Sequence, residues 1–221
     1  MCRQVLMILF VGALLQVPTA SAALIFEIEP ASVLPGETAL IDVFVESDAA
    51  GGDLLASFTL DFRITPDAGT TSSLKFKTPA SSQPNPATDL SYVFFGDSLI
   101  APGPFGSIST TVLPDDTYVV GDATASFSDI VVTAKKLAAR LEVVHDFGAA
   151  APSTTLGHTF TVSLGPATSA FDSGFSPVDF TTSSGTVTVT PEPASFIIWS
   201  LFATGAIWLG RQQCRRKASM A

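Results

Sequence analysis

Apolar and polar residues alternate with period two along most of the chain between residues 24 and 190. In SFTLDFRI, Phe58, Leu60, Phe62 and Ile64 fall on one face and Ser57, Thr59, Asp61 and Arg63 on the other. LIFEIE sets Phe26 and Ile28 against Glu27 and Glu29, HTFTVSL sets Phe160, Val162 and Leu164 against Thr159, Thr161 and Ser163, and SGTVTVT sets Val187 and Val189 against threonines. Such alternation is that of half-buried strands, and Thr, Val and Phe suit them. LIDVFVES, ATASFSDIVV and LEVVHDF add three less regular candidates.

Turn formers separate these runs at Leu34-Pro35-Gly36-Glu37, Ala50-Gly51-Gly52-Asp53 and Thr65-Pro66-Asp67. VVTAKKLAARLEVV reads either as a helix or as strand–turn–strand. The expected fold is all-β, an antiparallel Ig-like sandwich of roughly seven to nine strands. Residues 78–117, rich in Pro, Gly and Ser, are expected as long loops over it.

The two ends of the chain break the pattern. Arg3, an apolar run over residues 5–15, and Ala20-Ser21-Ala22 form a secretory signal with a small-x-small cleavage site after Ala22. Residues 1–22 are therefore the signal peptide, 23–190 the exported domain, and 191–217 a terminal segment. Within that segment the uncharged stretch 194–210 spans about 25 Å as a helix, enough to read as a single transmembrane helix. Trp199 and Trp208 sit towards its ends, and Arg211, Arg215, Arg216 and Lys217 follow it. Cations on one side hold that side in the cytoplasm and place the domain outside.

Charge and cysteine usage narrow the classes. Residues 23–190 carry six basic and nineteen acidic side chains, a net of 6 − 19 = −13, which repels phosphate backbones and argues against nucleic-acid binding. Cys2 and Cys214 both lie outside the domain, so its stability must come from packing.

The chemistry-bearing motifs lead mostly to structural readings. Phe95-Gly96-Asp97-Ser98-Leu99 spells the nucleophile block of GDSL-type esterases, with Ser98 as nucleophile. However, the only Asn is Asn85, and neither His145 nor His158 follows an Asp by three residues. His145 is in phase with Leu141, Val143 and Phe147, as a core or edge histidine would be, and His158 precedes a strand and is expected in solvent. No zinc set can be assembled from them. Glu27 and Glu29 share a strand face and could form a carboxylate pair, but water-facing acids are the ordinary outcome. Weak calcium candidates are Asp48 and Asp53 about a Gly-Gly turn, and Asp115, Asp116 and Asp122 in another loop. Sugar stacking is disfavoured because the domain has no Trp, only Tyr92 and Tyr118, and phenylalanine belongs in a core.

Two resemblances add to this. The order Pro191-Glu192-Pro193, short apolar span, Arg-rich end resembles the PEP-CTERM sorting signal of exported bacterial proteins. That resemblance implies an exosortase-type processing enzyme cutting near the Pro-Glu-Pro element, a transient membrane stage, and delivery to the cell surface or among exopolysaccharides. LIFEIEPASVLPGETALIDVFVESDAAGGDLLASFTLDFRI, with LAARLEVVHDF, LGHTFTVSL and SSGTVTVT, is similar to cohesin-like domains, which bind dockerin modules; that partner is not carried over. The expectation is an exported, non-enzymatic surface or matrix protein that needs no cofactor. Its alternatives are a cohesin-like protein- or carbohydrate-binding module and a secreted hydrolase.

Overall fold

A computed structural model describes residues 23–77, 88–99, 109–112 and 116–191, the four at 109–112 as backbone only. The alternating runs become two packed sheets. The first holds β1 (Leu24–Ile28), β3 (Thr38–Ser47), β6 (Ser73–Phe76), β10 (Lys136–Asp146) and β13 (Phe180–Ser183), in the order β13-β1-β3-β10-β6. The second holds β2 (Ala31–Val33), β5 (Ser57–Pro66), β7 (Ser109–Val112), β8 (Thr117–Ala123), β11 (Thr159–Leu164) and β14 (Gly185–Val189), in the order β2-β14-β11-β5-β8-β7. β12 (Ser169–Phe171) also pairs with β5, and β4 (Asp53–Leu55) with β9 (Ile130–Val132) in a small side ribbon.

This is the expected all-β sandwich with three differences. The described residues hold fourteen strands, more than alternation indicates, because several span only three residues, too few to show a period. The sheets are mixed: β1 runs parallel to β13 and β14 parallel to β2, since the chain crosses from the first sheet to the second between Ile28 and Ala31. The ambiguous stretch is strand–turn–strand, and residues 78–117 are not all loop, for β7 pairs with β8.

Burial follows the alternation closely. Phe58, Leu60, Phe62, Ile64, Phe160, Val162, Val187 and Val189 all face the core. Phe58 stacks on Phe94 at 5.5 Å, and Phe26 meets Phe180 edge-on at 5.8 Å. Along β10 the register slips between Leu137 and Ala139, a bulge that buries Leu137, Ala138 and Ala139 in succession. Alternation also fails at Asp61, expected in solvent but only 2 % exposed. The Gly165 N–H donates to the Asp61 backbone carbonyl at 2.5 Å and the Ala167 N–H to its Oδ2 at 3.4 Å, so the loop after β11 lies over it. Gly165 has to be glycine there, because a Cβ would run into the Asp61 carboxylate.

The outward face of the first sheet is laced with ion pairs. Lys135 reaches Glu27 at 2.6 Å and Glu29 at 3.4 Å, so those two glutamates serve as its partners. Arg140 pairs with Asp42, Lys77 with Glu142 and Lys75 with Asp146.

Strand register gives the sandwich two distinct ends. Leu24 pairs with Ser47, and Ser57 with both Ala123 and Phe171, which puts residues 47–57, 123–136 and 171–180 at one end. Phe160 pairs with Pro66 and Thr190 donates to the Val33 carbonyl, so β14 finishes and the chain leaves at the other, about 33 Å away along the ten residues of β5. Among the described residues no helix is long and apolar enough to cross a membrane. The expected signal peptide and its Ala20 and Ala22 lie outside the described residues, as do Glu192, Pro193, the span 194–210, Arg211, Arg215, Arg216 and Lys217.

Candidate binding groove

At the end opposite the chain's exit, two turns rise from the second sheet. The first follows β8: the Phe127 N–H donates to the Thr124 carbonyl at 3.2 Å, and Phe127 holds φ +53°. The second follows β12: the Phe175 N–H donates to the Asp172 carbonyl at 3.0 Å, and Phe175 holds φ +60°. Left-handed backbone at a bulky non-glycine residue is a true outlier and costs about 1–2 kcal/mol. Both rings nonetheless point into solvent, Phe127 at 66 % and Phe175 at 81 % exposure.

Carboxylates lock the turns in place. The Asp172 Oδ1 accepts from the N–H groups of Gly174 and Ser176. Asp97 accepts from the N–H and hydroxyl of Ser126, at 2.9 and 2.6 Å. Asp129, just past the first turn, accepts from the N–H and hydroxyl of Ser173 in the second, at 2.6 and 2.7 Å. Between the turns lies a groove of about 380 Å³, floored by Ala56 and Ala123 and walled by Leu99, Phe127 and Phe175. That volume falls in the lower part of the range for ligand pockets, about 300–1,000 Å³.

The serine motif is built into this end. The Ser98 hydroxyl is buried and donates to Asp122 Oδ2 at 2.5 Å, and the Tyr92 hydroxyl donates to the same oxygen at 2.7 Å. Tyr92, Val93 and Phe94 are buried too, so this stretch, expected as a loop over the sandwich, turns three side chains into the core. Burial, then the Asp122 charge and its hydrogen bond, push the Tyr92 phenol far above its ordinary range. Asp97 braces a turn and Leu99 lines the groove, so the residues that spell an esterase block serve as structure.

Asp122 therefore belongs to the core, on the inward face of β8, while Asp116 is exposed beyond the far end of that strand, so these two expected calcium candidates lie apart; Asp115 lies outside the described residues. Asp48 accepts from the Ala23 N–H, tying the turn to the residue before β1, and Asp53 accepts from the Ser47 hydroxyl across the turn itself. Among the described residues no cluster of three or more His, Cys, Asp or Glu is placed to hold a metal ion.

The histidines sit at the exit end. His145 is buried as its phase indicates; Nδ1 accepts from the Gly36 N–H at 3.3 Å and the ring meets Phe160 edge-on. Burial, then His158, lowers its pKa, against an opposing pull from Asp146. His158, expected in solvent, is half-buried, with Nδ1 2.8 Å from the Ser72 hydroxyl. That contact ties β6 to the turn before β11.

The exposed phenylalanines are what sequence reasoning missed. A signal was present: Ser126-Phe127-Ser128 and Gly174-Phe175-Ser176 each isolate one large apolar residue among turn formers.

No family model matches the chain, and no curated protein matches it. Solved structures do. The chain is similar to the sixth cohesin of Acetivibrio cellulolyticus scaffoldin B, solved with a Cel5 dockerin mutant, at 15 % identity over 76 % of this chain and 99 % of that one, TM-score 0.48. It is similar to the non-cellulosomal cohesin of Archaeoglobus fulgidus at 12 % identity over 80 % and 96 %, TM-score 0.44. A third is the seventh ScaB type I cohesin of Pseudobacteroides cellulosolvens, at 10 % identity over 77 % and 95 %, TM-score 0.44.

Proposed function

We propose that this chain is an exported bacterial protein whose β-sandwich is a non-catalytic binding domain. In this reading the segment beginning at Pro191 sorts it, through an exosortase-type enzyme, to the cell surface or extracellular matrix. The observation that carries the reading is the polarity of the sandwich. The chain leaves beside Val33, whereas the apolar groove opens at the opposite end, near Ser57 and Ala123. A domain held by its C-terminal segment then turns the groove away from the membrane and towards whatever lies outside.

The test is mass spectrometry of the protein from each cell fraction. Cuts after Ala22 and near Pro191, with the processed domain outside the cell, are expected. Replacing Pro191, Glu192 and Pro193 by alanine should trap the protein in the inner membrane. Unchanged release, or an intact chain soluble in the cytosol, overturns the reading.

A further inference from the structure

We infer that the groove takes a polypeptide segment in which a large apolar side chain is flanked by lysine or arginine. The inference rests on the reading of the sandwich as a binding domain and names what it binds. Neither Phe127 nor Phe175 belongs to the core cluster, yet each is held left-handed in solvent. Glycine would satisfy either turn without strain. Strain held in two exposed aromatic residues on facing turns has no folding purpose, and strain of this kind gathers at ligand clamps.

The lining says what the clamp holds. Three of the four polar side chains lining it are already engaged: the Ser173 hydroxyl with Asp129, the Thr124 hydroxyl with the Ser128 carbonyl, and Asp172 Oδ1 with two N–H groups. Sugar hydroxyls would find few partners here, whereas an apolar side chain needs none. The groove has room for one or two such side chains. Its border is acidic: Asp97, Asp129 and Asp172 brace the turns through neutral donors, and among the described residues none of the three is ion-paired. Among the described residues no lysine or arginine lines the groove. With the −13 net charge of residues 23–190, cations beside the apolar anchor are attracted and a second copy of the domain is repelled.

The experiment uses the full chain in a neutral-lipid nanodisc and three fluorescent peptides: Gly-Lys-Phe-Leu-Lys-Gly, its charge-reversed form Gly-Glu-Phe-Leu-Glu-Gly, and Gly-Lys-Ser-Ser-Lys-Gly. The first should bind at least tenfold more tightly than the other two and weaken in high salt. The double variant F127G/F175G should lose that binding at least tenfold while its melting temperature stays within a few degrees of the parent. Equal binding of the charge-reversed peptide, no binding of any of the three, or binding indifferent to the double variant overturns the proposal. Self-association abolished by the double variant would also overturn it, by making a second copy the occupant. Failure of the sorting reading would appear only in the masses of the processed protein and leaves this assay untouched.

Discussion

Asp129 holds Ser173 across 44 residues of sequence, taking its N–H on one carboxylate oxygen at 2.6 Å and its hydroxyl on the other at 2.7 Å. That clamp joins the turn carrying Phe127 to the turn carrying Phe175 and sets the width of the groove. Asp129→Ala removes both bonds. The expected loss is about 1–2 kcal/mol, because the pair is exposed. Urea unfolding measures it, and limited proteolysis should show new cuts within residues 124–129 or 172–176. Unaltered cleavage would mean the turns are fixed independently.

The two classes of phenylalanine should respond in opposite ways. Phe58, Phe62 and Phe160 are at most 2 % exposed, and truncating each to alanine should cost about 3–5 kcal/mol. Phe127→Gly and Phe175→Gly exchange backbone strain for added freedom in the unfolded chain, two effects of about 1 kcal/mol and opposite sign, so stability should barely move. Thermal melts of the five variants separate the classes.

Asp122 accepts from two buried hydroxyls, so Asp122→Ala removes an acceptor from both Tyr92 and Ser98. A loss of about 2–4 kcal/mol is expected by chemical denaturation. The Asp122→Ala/Tyr92→Phe pair should recover part of it, since one of the two hydroxyls is then gone.

Acid should loosen the exit end before it unfolds the rest. His145 accepts the Gly36 N–H while neutral, and its native pKa lies below the ordinary 6.5. A depressed native value means its stabilising effect is complete above about pH 6.5 and is lost as pH falls from there through the native pKa. Asp146 is held below its ordinary value first by the Gly148 N–H and then by Lys75, and gives up its share only at lower pH. Melting temperature against pH should therefore fall below pH 6.5, and His145→Gln should flatten that first step. A parent profile level down to pH 5 would refute the assignment.

Neither Ser98, bonded to Asp122, nor Ser72, beside His158 and 9 % exposed, should react with a fluorophosphonate probe. Peptide mapping after labelling checks both. Modification of Ser72 lost in a His158→Ala variant would favour the hydrolase alternative.

The core was legible because burial on one face imposes period two, and Phe58, Leu60, Phe62 and Ile64 all lie where that period puts them. It failed where a distant segment intrudes. Asp61 is covered by residues more than a hundred positions later, and Tyr92-Val93-Phe94 enter the core from a stretch with no period at all. The groove was illegible for a related reason. Composition assigns phenylalanine to the interior, and the turn formers on either side of Phe127 and Phe175 are the one local sign that both are held outside. ATASFSDIVV looks like one strand, yet β8 ends at Ala123 and β9 begins at Ile130, with the exposed ring in the gap.

The opposed ends of the sandwich also carry a mechanical consequence. A tether at Pro191 and a load seated between Phe127 and Phe175 would pull nearly along the strand axes. β14 is flanked by β2 and β11, so such a pull would strain those two ladders in shear, many bonds sharing the force at once, where a sideways tug would unzip them one by one. On the proposed reading, the layout of these ladders would let the domain bear tension between its C-terminal segment and a bound partner.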